Sequence, residues 1–275
     1  MKPALGIVAG SGSLPGKLID AALAEDRPLF VIGIEGEADP STLERAVHGW
    51  VRLGAFGALV KALKDNQCQD VVFAGPVRRP SLGNLSLDWY GLKLLPKILA
   101  AARQGDGALL SFLVDQMERE GFRVVGAEQV SRELLTGTGT MGSQAPSAQD
   151  RSDIEKGIQV VAQLGRLDVG QAAVVRDGLV LGIEAAEGTD ALIERCGLLP
   201  GKGGGVLVKI AKPGQERRVD LPTIGMTTIE KAAAAGLNGI AVEAGGALML
   251  DRKQVIEFAD AKGLFIFGTG IDGES

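Results

Sequence analysis

The sequence predicts an α/β protein with two domains, the first built on a parallel sheet and the second a mixed α+β domain. The chain has 275 residues, which is the length of about two domains at roughly 150 residues each. Apolar strand-like runs alternate with helix-like periodic segments in the first half, whereas the second half contains a hairpin signal and a less regular order. Residues 136–150 lie between the halves and are rich in Gly, Ser, Thr and Pro without a period.

Alternating strands and helices define the predicted N-terminal domain, residues 1–135. A buried strand at Ala4–Ala9 runs into a glycine turn, and the helix Leu14–Glu25 follows, with Leu18 and Ala22 on its apolar face. The remaining predicted strands are Leu29–Ile34, Asp70–Ala74 and Phe122–Val125, and the remaining predicted helices are Phe56–Asp65, Leu92–Arg103 and Ala108–Glu120. Such alternation gives parallel strands joined by crossover helices, so we expect a Rossmann-like sheet.

The predicted C-terminal domain, residues 151–275, opens with a helix that begins at a capping box from Ser152 to Glu155. A hairpin is expected where Asp177-Gly178 separates two apolar runs, Gln171–Arg176 and Leu179–Glu184. The other predicted helices are Thr189–Cys196, Thr227–Ala235 with a capping box from Thr227 to Glu230, and Asp251–Lys262; the other predicted strands are Gly205–Ala211, Gly239–Glu243, Ala247–Leu250 and Leu264–Phe267. We interpret residues 136–150 as an interdomain linker, and the alternative is a long surface loop within one domain.

Composition excludes several classes of function. The net charge is −5 and aromatic residues make up 4%, which argues against a large nucleic-acid-binding surface. A single histidine, His48, cannot build a multi-histidine metal site. The two cysteines, Cys68 and Cys196, are far apart and fit a reducing cytoplasm. The short apolar run near the N-terminus and the lack of a long apolar stretch predict neither a signal peptide nor a membrane span.

Glycine turns follow two of the predicted parallel strands. Gly10-Ser-Gly12-Ser13-Leu14 follows the first strand and opens a helix, where backbone N–H groups can approach a phosphate. Gly75-Pro-Val77-Arg78 follows a later strand, and Arg78 can bind a phosphate through two hydrogen bonds. The alternative interpretations are a tight strand-to-helix turn for the first segment and a loop with solvated arginines for the second.

The predicted helix Leu92–Arg103 is amphipathic. Lys93 and Lys97 lie on one face and Leu92, Leu95 and Leu99 on another, with Pro96 inside the helix. Such a helix can lie against acyl chains or a bilayer surface. Packing of an ordinary amphipathic helix on the sheet is the simpler interpretation.

Charged residues concentrate in two segments of the second half. Glu184, Glu187 and Asp190 fall within seven residues, and oxygen ligands of this kind suit Mg²⁺ or Mn²⁺. Helix capping by Thr189 is the alternative explanation there. Lys209, Lys212 and Arg218 can neutralise a pyrophosphate, and Asp220 can hold a metal ion or orient water.

Five motifs together resemble one family, the UDP-2,3-diacylglucosamine pyrophosphatases of lipid A biosynthesis, in the form that differs from the calcineurin-like enzyme. The motifs are AGSGSLP at 9–15, FAGPVRRP at 73–80, DVGQ at 168–171, EAAEGTD at 184–190 and KPGQERRVDLPTIGMTTIE at 212–230. The resemblance runs from residue 4 to about residue 268 and so covers both halves. One position departs from the family, because Gly107 stands where an acidic residue is expected after Asp106.

The resemblance implies a hydrolase that cleaves the pyrophosphate of UDP-2,3-diacylglucosamine to UMP and lipid X in a cleft between two domains. It implies Mg²⁺ or Mn²⁺ as cofactor, Asp220 as the essential aspartate, and a peripheral location on the cytoplasmic face of the inner membrane of a Gram-negative bacterium. No nucleic acid is expected as a partner. A homodimer is expected only because homodimers are common among soluble proteins. On this basis we expect Gly12, Ser13, Leu14, Gly75, Val77, Arg78, Gln171, Thr189, Lys209, Lys212 and Arg218 to contact substrate, and Asp220, Asp190, Glu184 and Glu187 to contact metal.

Two other functions remain compatible with the residues. The glycine-rich first turn and Glu35 after the second strand also fit an NAD(P)-dependent oxidoreductase. A sugar-nucleotide sensor without catalytic activity is the third candidate.

Overall fold

The computed structural model describes residues 2–78, 87–103, 105–201 and 203–270 and divides the chain into two compact units. The first unit contains the residues up to Glu133 together with Glu216–Asp220. The second unit contains Leu134–Gln215 and the residues from Leu221 onwards. The short loop Glu216–Asp220 thus groups with the first unit, although it lies within residues 151–275, and residues 136–150, which were predicted as a linker, group with the second unit.

A parallel sheet forms the centre of the first unit. Its strands are β1 (Leu5–Ala9), β2 (Leu29–Ile34), β3 (His48–Val51), β4 (Asp70–Ala74) and β5 (Arg123–Val124), in the spatial order β3-β2-β1-β4-β5. The helices of this unit are α1 (Leu14–Ala24), α2 (Pro40–Leu43), α3 (Phe56–Asp65), α4 (Trp89–Ala102), α5 (Asp106–Arg119) and α6 (Ala127–Val130). The first strands of the doubly wound nucleotide-binding fold have this same order. The strands are added on one side of β1 first and then on its other side, beginning with β4.

Continuous apolar runs explain why these strands lie in the interior. All five residues of β1 are buried, as expected for a strand that is covered on both faces by helices. One cluster packs Val8, Ile32 and Val71 of the sheet against Leu59 of α3 and Leu94 of α4. The helices thus bury one apolar face each on the sheet, which fixes the positions of the turns at its edge.

A six-stranded mixed sheet forms the centre of the second unit. Its elements in chain order are β6 (Gly139–Met141), α7 (Ala148–Arg166), β7 (Ala172–Arg176), β8 (Leu179–Ile183), α8 (Gly188–Gly197), β9 (Val206–Lys209), β10 (Thr223–Ile224), α9 (Met226–Ala234), β11 (Gly239–Glu243), β12 (Leu248–Met249), α10 (Arg252–Lys262) and β13 (Phe265–Thr269). The sheet order is β6-β13-β11-β9-β7-β8, and β10 pairs with β12 in a separate parallel ribbon. Strands β9, β11 and β13 are parallel, whereas β6, β7 and β8 pair antiparallel with their neighbours.

Alternation along the strands divides the apolar side chains of this sheet between two cores. Val206 and Val208 of β9 pack with Ile154 and Val161 of α7 on one face. Leu207 packs on the other face, in the core that contains residues of α8, α9 and α10. The predicted combination of a parallel N-terminal sheet and a mixed C-terminal sheet is therefore confirmed.

Several elements differ from the sequence-based expectation. The short elements α2, β3, α6, β6 and β10 were not predicted, and β6 lies inside the predicted linker, residues 136–150. The capping box predicted from Ser152 to Glu155 is wrong, because α7 begins earlier and Ser147 and Asp150 form its capping box. The box predicted from Thr227 to Glu230 is also wrong, since Gly225 is the N-cap of α9 and makes no side-chain cap.

None of the helices in the described part of the chain has the length and apolar character needed to cross a bilayer.

Candidate functional site

The two predicted glycine turns of the first unit lie side by side at the carboxyl ends of β1 and β4. The two strands are neighbours in the sheet, in parallel register from Leu5 opposite Asp70 to Ala9 opposite Ala74. After the strands, Ser11 donates hydrogen bonds to the Pro76 carbonyl oxygen from both its backbone nitrogen and its hydroxyl, each at 2.9 Å. The strand pairing therefore places the two glycine turns at one edge of the sheet.

Glycine is required in both turns by close backbone approach. A Cβ atom added at Gly75 would lie 2.1 Å from the Ser11 carbonyl oxygen, and Gly75 has a φ of +85°. Gly12 also has a positive φ, of +83°. Both values lie in the left-handed region that side chains with a Cβ rarely adopt. The turn brings Gly12, Ser13 and Leu14 to the first turn of α1, where the backbone N–H groups have no partners within the helix.

Arg78 is held by the loop after β2. Its Nε donates to Glu37 Oε1 at 3.1 Å and its Nη2 donates to the Gly36 carbonyl oxygen at 3.1 Å. The Arg78 side chain nevertheless stays 82% exposed, so a surface ligand can reach it. Arg79 and Pro80, which complete the predicted motif, lie outside the described residues.

A chain of buried polar groups lies at one end of the mixed sheet in the second unit. Lys209 Nζ donates to Thr189 Oγ1 at 3.0 Å, and this hydroxyl donates to Glu184 Oε1 at 2.6 Å. Lys209 Nζ also donates to the Thr223 carbonyl oxygen at 3.1 Å. Glu184, Thr189 and Lys209 are each less than a tenth exposed. Buried charges are retained only when they are paired or hydrogen-bonded in this way.

Gln171 belongs to the same group. Its backbone nitrogen donates to Glu184 Oε2 at 2.9 Å, so both carboxylate oxygens of Glu184 accept hydrogen bonds. The Gln171 Oε1 atom is buried and has no hydrogen-bond partner among the described residues. A buried acceptor without a donor is costly, which is compatible with a donor supplied by a ligand.

Glu187 and Asp190 engage cations near the start of α8. Glu187 Oε1 lies 3.1 Å from Arg195 Nη2, and Asp190 Oδ2 lies 3.5 Å from Lys231 Nζ. The pKa of Glu187 is held below its ordinary value, first of all by a backbone hydrogen bond. Desolvation opposes this effect, and the hydrogen bond and charge of Arg195 lower the pKa further. Asp190 lies in the first turn of α8, where its charge also favours the helix dipole.

A metal ion that is enclosed by protein side chains requires several ligands close together. In the described ranges, no group of three or more His, Cys, Asp and Glu side chains is placed to enclose an ion. Mg²⁺ commonly keeps several waters and takes one or two carboxylates together with substrate phosphates. The described residues are therefore compatible with an ion that takes one carboxylate from the protein. They do not form a site in which protein side chains alone surround the ion.

Residues Glu216–Asp220, which we call the crossing loop, connect β9 to β10 but belong to the first unit. Arg218 donates to both carboxylate oxygens of Glu216, at 2.8 and 2.7 Å, and to Glu118 Oε1 of α5 at 2.5 Å. Val219 packs against the apolar core of the first unit. These contacts fix the loop on the first unit, and the hydrogen bonds from Arg218 hold the pKa of the Glu216 carboxyl below its ordinary value.

Asp220 ends the crossing loop. Its backbone nitrogen donates to the Glu216 carbonyl oxygen at 3.1 Å, and the residue is partly exposed. Among the described residues of the same unit, none donates a hydrogen bond to its carboxylate. The Asp220 carboxylate is therefore positioned by the backbone of the loop and is available for a ligand.

Lys212 has a carboxylate partner of its own. Its Nζ lies 2.5 Å from Asp168 Oδ1, and its backbone nitrogen donates to Gln215 Oε1 at 2.8 Å. Arg218 and Lys212, both predicted to contact substrate, are thus already ion-paired. Their contact with substrate stays a prediction.

Sequence reasoning missed a buried acid at the end of strand β11. Glu243 is 4% exposed at the end of β11 and accepts a hydrogen bond from the Ala211 backbone nitrogen at 3.2 Å. The signal for this residue in the sequence was an acidic side chain directly after the apolar run Gly239–Val242. The carboxyl ends of parallel strands are where such sheets bind ligands, so Glu243 joins the candidate residues of this unit.

Two cavities open elsewhere on the first unit. One of about 340 Å³ lies between α4 and α5, and one of about 180 Å³ lies beside Arg27, Asp70 and Arg123. The described residues that line them include none of the predicted site residues.

Glycine turns at the edge of one parallel sheet, and buried charges at the end of a second sheet, define a two-domain α/β protein of the ligand-binding type. Comparison with known families is consistent with that class. The sequence profile of the LpxI N-terminal domain matches residues 4–134, and the profile of the LpxI C-terminal domain matches residues 137–267. The chain belongs to the LpxI family, which confirms the resemblance found in the sequence.

A curated relative covers nearly the whole chain. It is the UDP-2,3-diacylglucosamine pyrophosphatase LpxI of Caulobacter vibrioides (strain ATCC 19089 / CIP 103742 / CB 15), 46% identical over 271 residues, which are 96% of this chain and 96% of the relative. The two proteins therefore share both domains.

Solved structures resemble the chain only weakly. UDP-glucose 4-epimerase of Thermus thermophilus, in a complex with NAD, covers 98% of this chain and 88% of its own at 12% identity and a TM-score of 0.31. N5-carboxyaminoimidazole synthetase of Staphylococcus aureus, complexed with ADP, covers 72% and 44% at 13% identity and a TM-score of 0.23. At these TM-scores the likenesses carry no weight for the fold or function of this chain.

Proposed function

We propose that this protein hydrolyses UDP-2,3-diacylglucosamine to UMP and 2,3-diacylglucosamine 1-phosphate, as a step of lipid A biosynthesis. The observation that carries the proposal is the 46% identity to a pyrophosphatase of that name over 96% of both chains. In the reaction, water adds to one phosphorus of the pyrophosphate and the bridging P–O bond breaks. The oxygen of water stays on the attacked phosphate, and its protons are distributed between the products and solvent.

The chemistry of pyrophosphate cleavage supports particular roles for the candidate residues. The reaction requires neutralisation of charge on the phosphate oxygens and a group that orients water. We assign charge neutralisation to Lys209, and we assign the orientation of water to the carboxylate of Asp220. Asp220 belongs to the first unit and Lys209 to the second, so the proposal includes substrate contacts from both domains.

We include Mg²⁺ or Mn²⁺ in the proposal as a cofactor. A bound divalent cation polarises phosphoryl oxygens and offsets their negative charge. Asp220 is the carboxylate that best fits this ion, because the described residues of its own unit leave it without a hydrogen-bond donor. Glu184, Glu187 and Asp190 stay predictions as metal ligands, since each already has a partner in the protein.

The glycine turns at Gly12–Leu14 and Gly75–Val77 are proposed to hold the sugar nucleotide. Backbone N–H groups at the start of α1 are suited to a phosphate or a hydroxyl of the ligand. Gln171, through its unpartnered Oε1 atom, is proposed to accept a hydrogen bond from the substrate. A cytoplasmic, membrane-peripheral location and a homodimer complete the proposal.

A turnover assay tests the proposal. Purified protein is incubated with UDP-2,3-diacylglucosamine in Mg²⁺ or in EDTA, and released UMP is measured. We expect UMP only with the metal ion, and we expect Asp220→Asn to lower kcat by at least about 100-fold because it removes the charged group that orients water. Asp65→Asn is the matched control, since Asp65 lies on the exposed surface of α3 and pairs only with Lys61 four residues before it.

Two outcomes would contradict the proposal. Full activity of Asp220→Asn would refute the role of this carboxylate. Tight binding of the sugar nucleotide without UMP release, by correctly folded protein, would support the sensor function instead.

A further inference from the structure

The outer face of α4 exposes large apolar side chains. Trp89 is 73% exposed and Leu92 is 51% exposed. The inner face of the same helix buries Leu94 in the core of the first unit. Helix α4 therefore packs on the core through its inner face, while Trp89 and Leu92 lie on its exposed face.

The charge of this face is of one sign. Lys93 and Lys97 are exposed on α4, and exposed Arg103 follows as its C-cap, while the helix sequence WYGLKLLPKILAAA contains no Asp or Glu. The N-cap Asp88 uses its carboxylate on the backbone nitrogens of Gly91 and Ala58. A cationic face on a chain of net charge −5 is complementary to an anionic partner.

Apolar surface continues onto the neighbouring helix. Every residue of α5 from Gly107 to Leu113 keeps part of its surface exposed, although this segment includes Leu109, Leu110 and Phe112. The cavity of about 340 Å³ between the two helices has Lys97, Arg119 and the acidic Asp115 in its lining. The apolar surface is thus wider than a single helix, whereas the surface with cations alone is confined to α4.

We propose that the outer face of α4 binds an anionic lipid bilayer, with the helix lying parallel to the membrane surface. Trp89 and Leu92 would enter the boundary between headgroups and acyl chains, where tryptophan is enriched. Lys93, Lys97 and Arg103 would contact lipid phosphates. This inference adds an attachment surface to the proposed peripheral location and rests on that part of the proposed function.

The composition of the face favours a bilayer over a protein partner. Lysine is depleted in protein–protein interfaces, yet two of the exposed residues between Trp89 and Ala100 are lysines. Lys93 Nζ lies 5.5 Å from the centre of the Trp89 ring, so the cation and the aromatic ring present one combined surface. Lysine side chains can bury their carbon stems at a bilayer interface while the ammonium group stays hydrated.

Tryptophan fluorescence tests the insertion directly. The chain has two tryptophans, Trp50 and Trp89, so the variant Trp50→Phe leaves Trp89 as the only reporter. Vesicles of phosphatidylethanolamine and phosphatidylglycerol should shift its emission to shorter wavelength, and vesicles of phosphatidylcholine alone should not. Absence of the shift with anionic vesicles would overturn the proposal.

Vesicle flotation of charge variants tests the electrostatic part. Removal of both lysines in Lys93→Gln/Lys97→Gln should weaken binding by about 25-fold, at about fivefold for each charge near the surface. The matched control Lys61→Gln/Lys253→Gln removes the same charge from positions that are 75% and 88% exposed elsewhere, and it should bind as the wild type does. Equal weakening in the two double variants, or none in the first, would overturn the proposal.

The two proposals can fail separately. Hydrolysis of detergent-dispersed substrate should be the same in Lys93→Gln/Lys97→Gln as in the wild type, because these lysines have no assigned role in the reaction. Loss of vesicle binding with full hydrolysis supports the α4 surface. If the wild type hydrolyses the substrate but binds no vesicles, the proposal that α4 binds a membrane is refuted and the proposed function still holds.

Discussion

Thr189 connects two buried groups of opposite charge in the second unit. Its hydroxyl donates to Glu184 and accepts from Lys209, so one side chain fixes both the carboxylate and the ammonium group. Because the hydroxyl hydrogen is donated to Glu184, the hydroxyl oxygen is oriented to accept from Lys209. The position of the Lys209 ammonium group therefore depends on Thr189. Thr189 acts as a positioning residue if Lys209 neutralises charge in the reaction.

The variant Thr189→Val tests this arrangement. We expect kcat to fall by about tenfold with little change in KM, and the free energy of unfolding to fall by about 1–3 kcal/mol, because two buried groups lose a partner. Thr189→Ser should restore kcat, since it keeps the hydroxyl. Thr140→Val, at an exposed position of β6, is the matched control, and an equal loss of kcat in both valine variants would argue against a specific role.

The crossing loop acts at the scale of a structural element. Arg218 binds Glu216 in a bidentate manner and also pairs with Glu118 of α5, so it ties the loop both to itself and to a helix. Val219 adds an apolar contact with the core. The backbone that carries Asp220 is therefore held at two points within three residues.

The variant Arg218→Gln should release the loop. We expect kcat to fall by about tenfold because Asp220 loses its fixed position, while the free energy of unfolding changes by less than about 1 kcal/mol because the ion pairs are partly exposed. Lysine cannot reproduce the two parallel hydrogen bonds, so Arg218→Lys should not restore kcat. The control Arg52→Gln breaks an exposed pair with Glu35; a wild-type kcat in Arg218→Gln would contradict the positioning role.

At the same scale, the sequence predicted the long elements well because their periodicity is strong. The hairpin of β7 and β8 was expected from Asp177-Gly178, and both residues have positive φ values, of 52° and 77°. Strand β3 was missed because its four residues are mostly exposed and include only one buried apolar side chain, Val51. Its place in the sheet depends on pairing with β2. The pattern of apolar residues within a short segment does not show such pairing with a distant strand.

The candidate site was only partly predictable for a related reason. The glycine turns could be placed together because parallel strands end at one edge. The partners of Arg78 and Lys212, which are Glu37 and Asp168, lie 41 and 44 positions away in the chain. The sequence therefore showed the cations but not the carboxylates that already engage them.

Stability at low pH concerns the whole first unit, since an ion network around buried Asp70 connects β4 and β5 with the segments before β1 and β2. Asp70 at the start of β4 accepts hydrogen bonds from Arg27 at 2.5 Å and from Arg123 at 2.7 Å, while Arg27 also donates to the Pro3 carbonyl oxygen. Burial alone would raise the pKa of Asp70, but the hydrogen bonds and charges of Arg123 and Arg27 together outweigh it and lower that pKa. The network therefore favours the ionised carboxylate in the folded state.

The variant Asp70→Asn should destabilise the protein by about 3 kcal/mol at neutral pH, because it leaves buried Arg27 without its counterion. A lowered pKa gives stability that is fully present above the ordinary aspartate value of about 3.9 and is lost as the pH falls through the folded-state value. The difference in unfolding free energy between wild type and variant should therefore shrink in acid. Urea titrations at several pH values measure it, and a difference independent of pH would refute the assignment.

The crossing loop also has a consequence for any attempt to divide this protein at the gene level. A cut between residues 134 and 137, where the two family profiles meet, separates the first unit from five of its own residues, because Glu216–Asp220 are encoded far downstream. The upstream fragment would lack the aspartate that we assign to catalysis, and the downstream fragment would carry it on a segment detached from its support. A chimaera with a relative would therefore have to exchange the loop together with the N-terminal half.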